Sequence, residues 1–137
     1  MKRFSTGLAL AVFFLTACDQ AELPTSSSDN VGHWELHAFE MGGNIVAISN
    51  PERYTVEFTD DGRVSIGADC NRCNGAYEAN GSQLSIGPLG CTRAFCGPDS
   101  FFDEYVAALE SASSFARRGN ELTISYTGGT MRFELSP

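Results

Sequence analysis

The stretch "DCNRCNGAYEANGSQLSIGPLGCTRAFC", residues 69–96, contains four of the five cysteines of the chain, arranged as one C-x-x-C and one C-x-x-x-x-C. Between the two cysteine pairs, "AYEA" and "QLSIG" are typical of β-strands, and "ANG" is a turn signal that separates them. The stretch therefore predicts two neighbouring strands whose flanks carry the cysteines. Whether those cysteines form disulfides, a metal site or a redox pair depends on the compartment in which the protein folds.

The first eighteen residues predict export. Residues 1–3 ("MKR") are a short basic start, and residues 8–15 ("LALAVFFL") form an apolar run that is too short to cross a bilayer as a helix. The run ends in "LTAC", which resembles the lipobox of bacterial lipoproteins. We therefore expect cleavage before Cys18 and acylation of this residue, which would attach the protein to a membrane. The alternative is an ordinary secretory signal.

The chain then divides into three parts. Residues 1–17 are the predicted lipoprotein signal peptide, residues 18–31 the lipidated cysteine and a polar tether, and residues 32–137 a single folded domain. This organisation predicts a periplasm-facing protein, lipid-anchored in the bacterial cell envelope. Asp19 resembles a signal for retention at the inner membrane in enteric bacteria, but the choice between inner and outer membrane stays open.

The composition is strongly acidic. Asp and Glu number 17 against 9 Lys and Arg, which gives a formal net charge of −8, and the removal of Lys2 and Arg3 with the signal peptide would make the charge more negative. Because such a surface repels phosphate backbones, nucleic acid is excluded as a partner.

The rest of the domain is predicted to be mostly β. Apolar and polar residues alternate in "YTVEF", "ELTISY" and "TMRFEL", while "HWELHAFE", "RVSIGA" and "SSFAR" add further strands. Helical spacing occurs only in "PDSFFDEYVAALESA", which Asp99 or Ser100 is placed to cap. We expect an α+β fold: a mainly antiparallel β meander curled into a small barrel-like sheet, with one amphipathic helix before the last three strands.

Three chemistries compete for the four cysteines. A zinc site built from Cys70, Cys73, Cys91 and Cys96 approaches the spacing of a zinc ribbon, but the second half has four intervening residues where a ribbon has two. A thiol-redox role would require a helix after the C-x-x-C, and none is predicted there. An oxidising compartment favours disulfides instead. We therefore expect two disulfides and no metal or cofactor, with a zinc-binding or thiol-redox protein as the alternative.

Four cysteines allow three connectivities. If the two flanks run antiparallel, partners in nested pairs keep a nearly constant sum of residue numbers, whereas partners in crossed pairs do not. The nested pattern still needs a bulge or turn, because the unequal spacings put successive cysteines on opposite faces of regular strands. The three connectivities stay open at this point.

No catalytic constellation is apparent in the chain. None of the serines lies in a G-x-S-x-G elbow, and His33, Glu35 and His37 do not have the spacing of the H-E-x-x-H metalloprotease helix. The two histidines are predicted to be surface residues on one strand. The sequence therefore predicts a protein that is not an enzyme.

Several motifs in the opening stretch occur in the order found in one known family. These motifs are Cys70-Asn71, Gly75-Ala76-Tyr77, Leu84-Ser85-Ile86-Gly87 and Thr92-Arg93-Ala94-Phe95-Cys96. Trp34 and Leu36, the Asp61-Gly62 turn and the closing "GNELTISYTGGTMRFEL" also fit this pattern. Over roughly residues 32–135 the chain therefore resembles the META domain (HslJ-like) family.

The departures from the family pattern bear on the cysteines. The family usually has glycine where Asp69 stands, and it commonly lacks cysteines at positions 73 and 91. Because Cys73 and Cys91 appear here together, the resemblance implies that they pair with each other and leave Cys70 to pair with Cys96.

The resemblance also implies a role. The family consists of small barrel-like domains, often secreted or lipid-anchored and associated with heat shock and envelope stress, without an established catalytic activity. We therefore expect a monomeric envelope protein that binds a protein partner or an apolar ligand. Arg93, beside both cysteine pairs, is the first candidate for a binding residue, and a structural ion pair is its alternative role.

Overall fold

The computed structural model describes residues 30–137, and the predicted signal peptide, Cys18 and residues 19–29 of the predicted tether lie outside this range. The described residues form ten strands, one α-helix and one short 3-10 helix. Their bounds are β1 Gly32–Met41, β2 Asn44–Ala47, the 3-10 helix Pro51–Arg53, β3 Tyr54–Phe58, β4 Arg63–Ala68, β5 Asn71–Asn80, β6 Gln83–Ile86, β7 Gly90–Cys91, α1 Phe102–Glu110, β8 Ala112–Arg118, β9 Glu121–Tyr126 and β10 Gly129–Leu135.

Eight of the strands form a closed antiparallel barrel. The hydrogen-bonded order is β1, β3, β4, β5, β6, β8, β9 and β10, and β10 pairs with β1 to close the ring. The short strands lie beside this ring, β2 next to β1 and β7 next to β5. The join between β6 and β8 is the shortest, with a single residue pair, Gln83 and Ser114. The prediction of a small α+β barrel with one helix is therefore confirmed.

The barrel has two distinct ends. At the lower end β1 begins at Gly32 and β10 finishes at Leu135, and the N–H of Ser136 donates to the carbonyl of His33 at 2.9 Å. The upper end carries the hairpin between β1 and β2, the connection between β7 and α1, and the helix itself. Both ends of the described chain therefore lie at the lower end of the barrel.

The alternation of apolar and polar residues explains why these segments form strands. Each barrel strand turns its apolar residues inward, where the side chains of neighbouring strands pack together. The largest inward side chains that are no more than 2 % exposed are Trp34, Leu36, Phe39, Val56, Phe58, Ile66, Leu122, Ile124, Met131 and Phe133. The interior of the barrel is therefore a packed hydrophobic core.

Helix α1 covers the upper end of the barrel. Its inward face places Tyr105, Ala108 and Leu109 in the core, and the fully buried hydroxyl of Tyr105 donates to the backbone carbonyl of Thr55 at 3.0 Å. Burial raises the pKa of Tyr105 well above its ordinary value. The helix thus contributes both apolar contacts and one buried hydrogen bond to the barrel.

The start of the helix differs from the prediction. The residue that precedes the first turn is Phe101, and no side chain caps it. Ser100 lies one residue before Phe101, and its Oγ accepts a hydrogen bond from the N–H of Phe102 at 3.2 Å. The backbone N–H of Phe101 is bound by the hydroxyl of Tyr54 at 3.0 Å. The start of the helix is therefore fixed in part by a residue of β3, which local sequence could not indicate.

Two strands and the 3-10 helix were not predicted. Strand β7 has two residues, which is too short for alternation to show, and β2 ("NIVA") has three consecutive apolar residues and no alternation. Strand β2 follows a two-residue turn at Gly42 and Gly43, where both φ angles are positive, at 56° and 81°. Within residues 30–137, no helix is long and apolar enough to cross a membrane.

Candidate functional site at the upper end of the barrel

The four cysteines form two nested disulfides at the upper end. Cys73 faces Cys91 directly across β5 and β7, and Cys70 bonds to Cys96 with an S–S distance of 1.99 Å. Cys70 lies in the turn between β4 and β5, which supplies the irregularity that nested pairs require. A sulfur atom in a disulfide has no thiolate to offer to a metal or a substrate.

The connection between β7 and α1, residues 92–101, is called the upper loop below. Its first half is bound by the side chain of Asn71, which is only 1 % exposed. The Oδ1 of Asn71 accepts from the Thr92 hydroxyl at 2.9 Å and from the Ala94 N–H at 2.8 Å, and its Nδ2 donates to the Ala94 carbonyl at 2.9 Å. Together with the Cys70–Cys96 disulfide, these bonds fix the position of the loop.

The tip of the upper loop presents an arginine and a phenylalanine to solvent. The Phe95 side chain is 87 % exposed, the larger exposure of the two large apolar residues that lie on the surface of residues 30–137. Arg93, the residue first proposed for binding, is also exposed, and its guanidinium carbon lies 5.9 Å from the centre of the Phe102 ring. Within the described part of the chain Arg93 makes this ring contact and no ion pair.

A cleft of about 590 Å³ separates the upper loop from β2 and the segment that follows it. Tyr54 and Asp69 belong to its lining, and the Tyr54 hydroxyl donates to Oδ2 of Asp69 at 3.2 Å. Asp69 also forms an ion pair with Arg53. The remaining lining residues are Val46, Ala47, Ile48, Ser49, Asn50, Cys96, Gly97, Pro98, Asp99, Ser100 and Phe101.

Asp69 has an unusual backbone conformation for its position. Its φ is 59°, in the left-handed region that glycine adopts most easily and that aspartate tolerates better than most residues. This conformation is one that the glycine expected here from the resemblance would adopt without strain. In this chain the aspartate adds a carboxylate that is 6 % exposed and lies against the half-exposed guanidinium of Arg53. The cleft therefore has a buried negative group that is already neutralised.

The two histidines lie outside the cleft. His33 is 3.6 Å from Glu57, and His37 is 3.6 Å from Glu134, each partner being on a neighbouring strand of the barrel. No cluster of three or more metal-ligating side chains occurs in residues 30–137. The upper end therefore offers a ligand the exposed tip of the upper loop and a cleft whose lining is both polar and apolar.

Four residues of this region were not identified as site residues from the sequence. Asn71 and Phe95 were present in the quoted motifs, but nothing local showed that one is a buried hydrogen-bonding centre and the other an exposed tip. Asp69 had one signal, the replacement of a glycine. Arg53 had no signal in the sequence, because the pairing of β3 with β4 brings its partner, Asp69, close to it.

Solved structures with the same fold are known. The chain is 22 % identical to a protein from Burkholderia xenovorans that was solved by NMR. The match covers 99 % of this chain and 99 % of that one, with a TM-score of 0.67. It is 20 % identical to a lipocalin-like protein from Bacteroides uniformis, whose crystal structure matches 79 % of this chain and 99 % of that one, with a TM-score of 0.55. Identities this low establish the shared fold alone.

Comparison with family models assigns the chain to a family, which the solved structures do not. No curated protein matches the sequence significantly. The model of the META domain, however, matches residues 28–137, which include the barrel, both disulfides and the upper loop. The protein belongs to the META domain family.

Proposed function

We propose that the protein is a non-enzymatic binding protein of the bacterial cell envelope, attached by a lipid on Cys18, which contacts a partner protein through its upper loop. The observation that carries this proposal is the 87 % exposure of Phe95 on a loop held by a disulfide and by Asn71. Burial of such a side chain in an interface contributes about 2 kcal/mol. Because the loop is already ordered, little conformational entropy is lost on binding.

The direction of the chain supports this role. The described domain begins at its lower end, so the chain that leads to the proposed anchor on Cys18 attaches there. Phe95 and Arg93 lie at the opposite end, where a partner in the periplasm could reach them. The disulfides agree with this location, because they persist in oxidising compartments.

A protein partner fits the barrel better than an apolar ligand inside it. Lipocalin-type barrels hold small ligands in an interior cavity. In this chain Trp34, Phe39, Tyr105 and Phe133 fill the corresponding space and are each no more than 1 % exposed. The contact surface is therefore proposed on the outside, at the upper loop.

Site-specific photocross-linking in cells tests the proposal. A photoreactive amino acid at position 95 of the full chain is expected to give a discrete cross-linked adduct. The same residue at position 116, which is exposed on β8, serves as the matched control. Equal adduct patterns at the two positions, or no adduct at position 95 in a correctly oxidised protein, would contradict the proposed contact.

A further inference from the structure

Strand β2 has a free edge. Within residues 30–137 it pairs only with β1, and the cleft lies on its other side. The two-residue turn sets Met41 opposite Asn44, and the N–H of Ile48 donates to the carbonyl of His37 at 2.9 Å. These two facts fix which residues of the strand bind β1.

Hydrogen-bonded pairs alternate along an antiparallel ladder. Since Asn44 and Ile48 lie at hydrogen-bonded positions, Val46 between them does too. The N–H and C=O groups of Ile45 and Ala47 must then point away from β1, and Ala47 belongs to the lining of the cleft. This edge therefore offers two donors and two acceptors in the pattern that a further strand would use.

The edge lacks two of the features that usually prevent strand addition, a charged side chain and a proline. Natural edges are protected by these, by bulges or by short length, and of these β2 has the short length, with four residues. The segment "NIVAISN", residues 44–50, has no charge and no proline, and the side chain of Ile45 is 76 % exposed. The first proline, Pro51, comes after the strand has ended.

The cleft has the form of a channel beside this edge. Its opposite wall is the second half of the upper loop, which the Cys70–Cys96 disulfide holds in place. Val46, Tyr54 and Phe101 supply apolar surface to the lining. An added strand would turn alternate side chains toward that surface and the others toward solvent.

The charge around the channel selects the partner. Arg53 is neutralised by Asp69, whereas Asp99 is exposed in the lining and forms no ion pair within residues 30–137. Asp103 and Glu104 follow at the start of α1. Arg93 lies beside Asp103 in the neighbouring cavity, so these three acidic residues face one cation without an ion pair in the described part of the chain. The whole chain has a net charge of −8. An extended segment that enters here meets a negative potential, which favours basic side chains.

We propose that a basic, extended segment of the partner protein adds to β2 as a further strand and fills the cleft. This inference rests on the proposed function, because it assumes that the upper end is the binding end. In this mode of recognition, main-chain hydrogen bonds to Ile45 and Ala47 supply affinity, and alternate side chains of the added strand supply specificity.

Two synthetic peptides test the inference on the oxidised protein, one of eight residues alternating valine and lysine and one alternating valine and glutamate. By NMR titration, the lysine peptide is expected to bind at least tenfold more tightly and to shift the amide signals of Ile45 and Ala47. Ala47→Pro removes one outward N–H without removing a bond to β1, and it is expected to weaken binding at least tenfold.

A second variant covers the case in which Ala47→Pro does not fold. Ile45→Lys places a charge on the edge and is also expected to weaken binding at least tenfold, whereas Ala116→Lys adds the same charge on another exposed strand and is expected to have little effect. Binding that survives both Ala47→Pro and Ile45→Lys would overturn the inference. Equal binding of the two peptides would do the same.

Two further outcomes separate this inference from the proposed function. If the protein alone forms a dimer that Ile45→Lys dissociates, the occupant of the edge is a second copy and the proposed partner segment is wrong. If position 95 cross-links a partner and Ala47→Pro leaves that adduct unchanged, the binding function stands and strand addition fails. If neither an adduct nor peptide binding is found, both proposals fail.

Discussion

At the scale of single residues, Asn71 makes three hydrogen bonds to Thr92 and Ala94 of the upper loop. We expect Asn71→Ala to lower the free energy of unfolding by about 2–3 kcal/mol, because the N–H and C=O groups of Ala94 lose their hydrogen bonds to the buried Asn71 side chain. Urea denaturation measures this difference. Asn74→Ala on the same strand is the matched control, since Asn74 is exposed and makes one long bond, of 3.3 Å, to Ser65. Equal losses in the two variants would contradict the assigned role.

Asp69 combines a strained backbone with two side-chain contacts. Asp69→Ala removes the contacts to Arg53 and Tyr54 and leaves a Cβ in the left-handed conformation, whereas Asp69→Gly removes the contacts and relieves the strain. We therefore expect the glycine variant to be more stable than the alanine variant by about 1 kcal/mol. Thermal unfolding of the two purified variants measures the order, and the reverse order would show that backbone strain at position 69 is unimportant.

Residue roles were the least predictable part of the molecule. Arg93 could be singled out from its place between the cysteines, but its neighbour in space, Phe102, comes from the helix. Phe95 would ordinarily be placed in a core, and its exposure arises because the loop is tied at Asn71 and Cys96 in a direction that points its tip outward. Such roles depend on contacts between distant segments, which a local pattern does not contain.

At the scale of elements, the packing of α1 on the barrel is most stable when the buried Tyr105 is neutral. Because burial raises the pKa of Tyr105 in the folded state, the unfolded chain releases this proton first as pH rises. The stabilising effect is complete below the pKa of an unfolded tyrosine, about 10, and is lost above it. We expect the free energy of unfolding to fall with pH above about 10, and to fall less steeply in Tyr105→Phe. Urea denaturation between neutral and alkaline pH measures both slopes.

The strand pair β5 and β7 is joined covalently at Cys73 and Cys91. We expect Cys73→Ala combined with Cys91→Ala to lower the free energy of unfolding by about 2 kcal/mol. This is less than the ~3 kcal/mol of an isolated loop of 18 residues, because the Cys70–Cys96 disulfide already constrains the unfolded chain. Mass spectrometry of the unreduced wild-type domain should show the loss of four hydrogens. Four free thiols with bound metal would instead favour the zinc-binding alternative.

The regular elements followed from local patterns, and the irregular ones did not. Strands β3, β9 and β10 show the alternation that predicted them, and α1 shows helical spacing over the segment that forms it. Strand β2 is different, because its four residues become a strand only through their pairing with β1. Strand β2, whose edge is proposed to bind the partner, was thus one of the two strands that sequence patterns did not identify.

At the scale of the whole molecule, the proposed lipid anchor would attach the protein to a membrane through the tether that precedes the domain. Several acyl chains on Cys18 would bind a membrane strongly, since each buried CH₂ contributes about 0.8 kcal/mol. We expect Cys18→Ala to move the protein from the membrane fraction to the soluble envelope fraction, and fractionation followed by immunoblotting measures this. A Cys18→Ala protein that stays membrane-bound and normally processed would rule out the lipid anchor.

Closure of the barrel is the part of the fold that sequence patterns left least certain. The meander and its turns could be read segment by segment, but the ring closes through β1 and β10, which lie at opposite ends of the domain sequence. Trp34 and Leu135 are direct partners across that join. Their pairing is stabilised only when all the intervening strands have formed, so no short stretch of the chain could specify it.

This join has a consequence for the connectivity of the fold. Because β1 and β10 are neighbours and the two ends of the domain meet at Ser136 and His33, the backbone is close to a ring that is interrupted at one point. The interruption could be moved to another turn, with a short peptide bridging the present ends, and every hydrogen-bonded ladder of the barrel would be retained. We therefore expect circularly permuted chains, which begin at another turn, to form the same barrel.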